Sequence, residues 1–536
     1  MEERSLYWRQ KKELLNRPMF IWPGLSAWAF YFIAKSLLAL NGDLSLALWL
    51  NLAMISLLVI PVRPKALKVL RQCIAVPCAL SLLYYESHLP PFSSIVDQWS
   101  AISGFSFAYL TELFARTVEL QWLLVLLVAW IAYAYIQQVL RMTVVAIVMV
   151  VIASTVSMQQ STLPPIAPQS IVDLNSTEQR TDSVYESPDA KLAAFYQEQK
   201  SLVVQPLLDT PAGFDVLIVN ICSLSWDDIA QSGLQQHPLL TSSQLVLKNY
   251  NSASSYSGPS ALRLLRASCG HSKHEELYTQ APQCLVSRQL AELGFSSELL
   301  LNHTGEYDNF SGLLQQYGGL PQSNYDVSAP VAMTGFDNSL IRSDQAVLDN
   351  WLADTAGDSA RFTFYNTLSL HDGNRVPNFS GNSLESYEFR AAKLMDELYQ
   401  LQQKIEASGR RVLMAIVPEH GANLAGDNLQ LPGLREVPTP PVTHVPVLIS
   451  LFGEGLEPPT EQIAVERTTG PTAITSAIFN IHAQQPFANS DFSLSSVAEQ
   501  LPATDWVAEN KDVKVMEFQQ NFVLKIKERD WLPYRQ

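Results

Sequence analysis

The feature that most constrains this chain is a run of five apolar stretches packed into its first 157 residues, followed by a long half of quite different composition. The stretches run from Phe20 to Leu40, Leu44 to Val62, Leu67 to Tyr85, Trp122 to Gln138 and Met142 to Ser157. Each is near the roughly 20 residues that a bilayer core requires, so they read as five membrane spans. Lys35, inside the first, is expected to snorkel or to face a neighbouring helix, and no function is attached to it. The charge split follows the same division. Residues 1–157 hold 12 Lys plus Arg against 8 Asp plus Glu, and the remainder holds 24 against 43. So acidic a remainder excludes a nucleic-acid surface.

Loop charges set the orientation. Arg4, Arg9, Lys11, Lys12 and Arg17 precede the first span, and Arg63, Lys65, Lys68 and Arg71 lie between the second and third. The loop from Glu86 to Leu120 holds four acids and only Arg116. The positive-inside rule therefore puts the N-terminus in the cytoplasm and, after five crossings, everything beyond Ser157 outside. No cleavable signal peptide is read, because the basic lead-in runs into a full-length span. That outer loop also has aromatic and apolar residues at helix-like spacing through Phe105, Phe107, Tyr109, Leu110 and Phe114, a pattern suited to the membrane–water interface.

Three regions follow: a membrane domain over 1–157, a linker over 158–210, and an extracytoplasmic domain over 211–536. The linker is rich in Ser, Thr, Gln and Pro, with one short helix expected from Asp189 to Leu202 behind Ser187-Pro188-Asp189. In the last region, apolar runs at Phe214–Ile221, Ser297–Leu301, Arg361–Leu370, Arg411–Val417 and Val445–Phe452 alternate with helical patterns. The clearest helix runs from Ser383 to Ser408, with Phe389, Ala392, Met395, Leu398, Leu401 and Ile405 on one face and Gly409 as its stop. Alternation of this kind implies an α/β domain with a mostly parallel central sheet, whose ligands bind beyond the carboxyl ends of its strands.

Three strand ends then converge. The first ends in Cys222, the run from Arg361 ends in Ser369-Leu370-His371-Asp372, and the run from Arg411 ends in Pro418-Glu419-His420-Gly421. Thiol, imidazole and carboxylate are zinc-ligand types. Between them lies Asn251 to Cys269, NSASSYSGPSALRLLRASC, a small-residue turn that runs through Ser257, Gly258 and Pro259 into an amphipathic helix. Ser257 is an ordinary N-cap on one reading; on the other, the helix N-terminus holds a phosphoryl group against its hydroxyl. A serine hydroxyl is a poor nucleophile until coordination to a metal lowers its pKa, so Ser257 joins Cys222, Glu419 and His420 as a fourth candidate ligand of one zinc ion. Attack would give a phospho-serine that water or an alcohol resolves. Arg435 is placed to clamp the phosphate with its fork of donors. His88, His237, His271, His274, His303 and His482 have no such setting and are read as solvated. Cys73 and Cys78 are read as small buried hydrophobes, and Cys269 with Cys284, 15 residues apart, as a disulfide in an oxidising compartment. That pairing leaves Cys222 as an odd thiol.

The segments NICSLSWDD, NSASSYSGPSALRLLRASC, SLHDGNR and VPEHGAN occur in an order that resembles, over essentially the whole length, the inner-membrane phosphoethanolamine transferases that decorate bacterial cellulose, the G subunits of the cellulose synthase apparatus. That family belongs to the alkaline phosphatase superfamily. The resemblance implies transfer from phosphatidylethanolamine to glucose hydroxymethyl groups of cellulose, in the periplasm, alongside other synthase subunits. It implies Ser257 as nucleophile, Cys222, Glu419 and His420 as zinc ligands beside it, and His371, Arg435 and Tyr256 around the phosphoryl group, with His371 a proton donor or substrate contact. It also supports the Cys269–Cys284 disulfide. Cys222 stands where the wider superfamily has an acid, and Glu419 where it has Asp, which points away from lipid A modifying relatives. A sulfatase is excluded, because Ser257-Gly258-Pro259-Ser260 is followed by Ala261 where that motif requires Arg. The rivals are a transferase or phosphodiesterase with another acceptor (lipid A, another glycan, water) and a non-catalytic scaffold subunit.

Overall fold

A computed structural model describes residues 24–41, 44–62, 64–87, 104–117, 120–160, 185–207, 210, 213–354, 360–456, 459–527 and 529–534. The basic lead-in from Arg4 to Arg17, the start of the first apolar stretch, Arg63, His88, the outer loop before 104 and the tether over 161–184 lie outside the described residues. The chain divides into two compact units. One comprises Met1–Ser94 with Val118–Val172, the other Ile95–Thr117 with Asp173–Gln536.

In the first unit every apolar stretch is helical: Trp28–Asn41, Leu48–Val59, Lys65–Glu86, Leu120–Ile136 and Met142–Gln160. Among the described residues only Lys65–Glu86 is both long and apolar enough to cross a bilayer by itself; Leu48–Val59, Leu124–Ile136 and Met142–Val156 are shorter apolar helices. Small residues face inward, with Ala29, Ser36, Ala75, Ala79 and Ala146 buried, while Leu70, Ile74, Val76, Leu80 and Leu124 point outward. Cys73 and Cys78 share that outward surface, so the expectation that they are buried does not hold. Lys35 faces its neighbours. It pairs with Glu86 and donates to Asn51 Oδ1 at 2.8 Å, and Asn51 in turn donates to Glu86, so a polar knot ties three helices together.

The second unit is built on an eight-stranded sheet. Its strands are β1 (Asp215–Ile221), β2 (Leu245–Asn251), β3 (Ser296–Leu301), β4 (Ser323–Tyr325), β7 (Arg361–Thr367), β8 (Val412–Ile416), β9 (His444–Phe452) and β10 (Ile463–Val465). The order is β10-β2-β9-β8-β1-β7-β3-β4. Every neighbouring pair is parallel except those of β9, which runs against both β2 and β8. The remaining strands, β5 (Val331–Thr334) and β6 (Leu340–Arg342), form a hairpin, and β11 (Val507–Glu509), β12 (Val513–Phe518), β13 (Asn521–Ile526) and β14 (Leu532–Tyr534) form an antiparallel sheet. The near-continuous apolar runs are explained by burial on both faces. Val216 and Ile218 belong to one core layer, Leu217 and Val219 to the other.

Three helices matter for the site. Tyr387–Ser408 ends on Gly409 in the left-handed region at φ 69°. Its buried face runs through Tyr387, Ala391, Leu394, Met395, Leu398, Leu401 and Ile405, whereas Phe389 is 51 % exposed and stacks on Phe379. The stripe is thus rotated from the expected one at its first turn, because Tyr387 is drawn inward to donate to the Ser223 carbonyl. The helix expected in the linker is present as Pro188–Ser201, capped by Ser187, which accepts from the Ala190 N–H at 3.2 Å. It packs on the antiparallel sheet through Leu192, Phe195 and Tyr196. The outer-loop helix Phe107–Thr117 buries Tyr109 in this unit and leaves Phe107 and Phe114 exposed. Cys269 and Cys284 are joined by a disulfide.

Candidate metal centre and nucleophile

Cys222 follows β1 directly, and Glu419 and His420 follow β8, the neighbouring parallel strand. Their positions are fixed by the continuing ladder. The Cys222 N–H donates to the Thr367 carbonyl at 3.1 Å, the Glu419 N–H to Ile221 at 2.9 Å and the Leu224 N–H to His420 at 2.7 Å. All three side chains are fully buried. One donor atom from each lies within 4.8 Å of the others: Cys222 Sγ is 3.9 Å from His420 Nε2, which is 3.8 Å from Glu419 Oε2.

Ser257 is the first residue of the helix Ser257–Leu265, and Tyr256 is its N-cap. Its hydroxyl is therefore not spent on capping. Ser257 Oγ lies 3.3 Å from His420 Nε2 and 3.6 Å from Cys222 Sγ, at the positive end of the helix dipole. The Ser260 hydroxyl, one turn on, donates to the Glu419 carbonyl at 2.8 Å and locks the helix to the β8 end. Gly421 must be glycine: a Cβ there would come within 2.6 Å of Ser225 Oγ and 2.9 Å of Asp228 Oδ2. The buried Asp228 carboxylate accepts from the Ser225 N–H and the Ala422 N–H, pinning the turn after His420.

The donor set suits a metal. Burial pushes the Cys222 thiol up to about 12, with the Glu419 charge adding to it, and burial pushes Glu419 up to about 7. Burial also holds His420 well below the ordinary imidazole range. Left alone, the thiol and the imidazole would be neutral at pH 7 and the carboxyl only partly ionised, and Glu419 Oε2 is buried with no hydrogen-bond partner. An orphaned carboxylate oxygen beside a thiol and an imidazole fits a zinc ion, whose bonds of about 2.0–2.3 Å fall within this spacing and whose charge would draw the thiol and carboxyl back down while favouring the neutral imidazole. His420 is oriented for that role, with Nδ1 at 2.9 Å from the Gly421 carbonyl and Nε2 facing the cluster.

Around this centre lie the other expected residues. Arg435 Nη2 is 2.9 Å from His371 Nε2, and Nη1 is 3.5 Å from Ser223 Oγ, beside Cys222. A guanidinium can only donate, so His371 Nε2 accepts and Nδ1 donates to the Asp372 carbonyl at 2.6 Å. Burial, followed by the Arg435 charge, holds His371 down to about 3. In this arrangement the imidazole is neutral and orients Arg435. The Tyr256 hydroxyl bonds to Glu436. His444 is outside the cluster, with Nε2 on the Lys248 carbonyl at 2.8 Å.

Three histidines read as solvated are instead buried, His274, His303 and His482, and His237 and His271 are half-buried. A neutral imidazole needs only one or two partners to enter a core, and His303 has them. Its Nδ1 accepts from the Gly305 N–H at 3.2 Å, and its Nε2 donates to Asn366 Oδ1 at 2.9 Å. Asn366 then donates to Glu419 Oε1 at 2.6 Å and to Asn220 Oδ1 at 2.8 Å. The sequence reading missed Asn366, His303, Asp228 and Asn220. A weak signal existed in the two Asn residues that interrupt the apolar runs of β1 and β7, which pair directly in register.

Comparison with known proteins covers both parts of the chain. Residues 173–531 match the cellulose biosynthesis protein BcsG C-terminal domain and residues 28–155 its N-terminal domain. The chain is 35 % identical over 544 residues to the cellulose biosynthesis protein BcsG of Escherichia coli (strain K12), covering 96 % of this chain and 97 % of that protein. The protein of the same name from Salmonella typhimurium is 32 % identical over 545 residues, with the same coverage. Among solved structures, the C-terminal periplasmic domain of EcEptC from Escherichia coli is a loose likeness, at 10 % identity and a TM-score of 0.39 over 57 % of this chain and 94 % of that one. Matched over both of its parts and across nearly its whole length, the chain belongs to the BcsG family of cellulose biosynthesis proteins.

Proposed function

We propose that the protein transfers phosphoethanolamine from phosphatidylethanolamine to cellulose through a phospho-serine intermediate, at a zinc centre held by Cys222, Glu419 and His420 with Ser257 beside it. The observation that carries this reading is the convergence of Ser257 Oγ on His420 Nε2 and Cys222 Sγ, at 3.3 and 3.6 Å, with Glu419 Oε2 left without a hydrogen-bond partner. Zinc, when bound, would lower the pKa of the serine hydroxyl and polarise a phosphoryl oxygen. The chain's own residues do the rest. Ser257 Oγ gives up its proton and forms a bond to phosphorus as the ester bond to diacylglycerol breaks, and the departing diacylglycerol oxygen takes up one proton, so that the step is balanced. Arg435 and the first N–H groups of the helix Ser257–Leu265 hold the phosphoryl oxygens. His371 keeps Arg435 aimed, and Tyr256, tied to Glu436, precedes Ser257 as the N-cap of its helix. A glucose hydroxymethyl then attacks the phospho-serine and releases Ser257.

A lipid donor requires the site to work at a bilayer surface. We read the five helices of the first unit as membrane spans with the N-terminus cytoplasmic and the second unit periplasmic. The outward apolar side chains of that unit, the exposed Phe107 and Phe114 of the loop helix, and the Cys269–Cys284 disulfide support this placement.

The test is Ser257→Ala in the full chain, assayed for phosphoethanolamine on cellulose together with bound zinc and thermal unfolding. Transfer should be abolished, with zinc and fold retained. Full modification of cellulose by the variant would overturn the mechanism, and transfer to lipid A, another glycan or water in place of cellulose would overturn the acceptor.

A further inference from the structure

The site described so far draws on segments beyond β1, yet one wall of it comes from much earlier in the chain. The loop helix Phe107–Thr117, between the third and fourth apolar helices, lies against the turn that carries His371. The buried Tyr109 hydroxyl donates to Asp372 Oδ2 at 2.8 Å, across 263 residues of sequence. Its ring lies 6.1 Å from that of Phe336, which stacks on the His371 imidazole at 4.3 Å. The Ser106 N–H donates to the Phe336 carbonyl at 2.9 Å. Glu112 Oε1 accepts from the Ser383 N–H at 2.9 Å, and Ser383 in turn bonds to Asp372. The approach is tight. A Cβ on Gly373 would lie 2.5 Å from Phe336 Cβ and 2.8 Å from two ring carbons of Tyr109, at a backbone φ of 79°.

These contacts form one relay. Tyr109 holds the Asp372 side chain, the Asp372 carbonyl accepts from His371 Nδ1 at 2.6 Å, and His371 Nε2 receives Arg435 at 2.9 Å. We propose that Tyr109 is a positioning residue of the active site, acting through Asp372 and His371 to hold the Arg435 guanidinium where the phosphoryl group binds. The loop between two membrane helices is then a working part of the centre, and the second unit's later residues alone make an incomplete site. The role given to Arg435 rests on the function proposed above; the relay itself does not.

Tyr109→Phe removes one hydroxyl and keeps the ring packing, so the fold should survive. In the zinc-loaded full chain, binding of inorganic phosphate by calorimetry and kcat/KM for phosphoethanolamine transfer should both fall by about tenfold, the scale of a misplaced charge-assisted hydrogen bond, with zinc content unchanged. Asp372→Asn should do the same. In an Arg435→Lys background, Tyr109→Phe should cost nothing more, because its effect passes through the guanidinium. Wild-type phosphate affinity in Tyr109→Phe, or a loss that persists undiminished beside Arg435→Lys, would overturn the proposal. A wild-type chain that shows this coupling in phosphate binding but transfers no phosphoethanolamine would uphold the relay and overturn the function reading alone.

Discussion

Asn366 shows how the centre is tuned one residue at a time. Its amide is fixed from both sides: His303, neutral because burial holds it down to about 4, can only donate from Nε2, so Asn366 Oδ1 accepts and its Nδ2 turns to Glu419. One carboxylate oxygen is thereby occupied and the other left facing Cys222 and His420. Asn366→Ala should lower zinc affinity by about 10–100-fold, measured by chelator competition, while leaving Ser257 in place. Unchanged affinity would show that Glu419 needs no such partner. The four central residues were legible in the sequence because each ends an apolar run or opens a helix, and both patterns are local. Asn366 and His303 were not, because a polar residue inside a strand gains its meaning only from what lies across the sheet.

Among the elements, the helix that opens with Ser257 is anchored as far from the candidate metal centre as it is near it. Arg263, in its last turn, donates to Glu509 Oε1 at 2.9 Å, and Tyr196 of the helix Pro188–Ser201 donates to Glu509 Oε2 at 2.8 Å. Burial alone would raise the Glu509 carboxyl, but His271, Arg263 and Tyr196 together outweigh it and bring it down to about 2. His271 is itself held down to about 4 by burial and then by Arg263, so at neutral pH the charge facing Glu509 is that of Arg263. A carboxylate depressed in the fold stabilises it above its unfolded pKa of about 4.3, and that contribution disappears as pH falls toward 2. Glu509→Gln should therefore cost on the order of 3 kcal/mol at pH 7 by denaturant unfolding, with the gap from wild type closing between about pH 4 and 2. A gap that is constant across this range would assign the loss to packing. Five strands of the large sheet and the longest helix of the second unit were legible from their apolar runs and periodicity, whereas β2, β4, β10 and the antiparallel sheet of β11 to β14 were not. The rotation of Tyr387–Ser408 was not, because the Ser223 carbonyl that draws Tyr387 inward is distant in sequence.

At the scale of the whole molecule, the boundary of the second unit falls earlier than composition suggests. The polar stretch before 211 carries Leu192, Phe195 and Tyr196, which cover Val507, Met516, Phe518, Val523 and Trp531. A fragment beginning at 173 should purify as a folded species, and one beginning at 211 should melt lower and aggregate, since each large apolar side chain left uncovered forfeits roughly 1.5–3 kcal/mol. Equal melting temperatures and equal elution volumes would place the boundary at 211 after all. The sequence by itself determined five apolar helices, an α/β unit with a mostly parallel sheet, and a serine turn sharing one sheet edge with thiol, carboxylate and imidazole. Each of these is written in patterns a few residues long, where hydrophobic period and strand-end chemistry act. Only the tertiary structure decided the reversal of β9, the burial of three histidines, the second hold on Glu419 and the entry of Tyr109 into the site. Those depend on groups brought together across tens to hundreds of residues, where burial and hydrogen bonding select partners that no local pattern records.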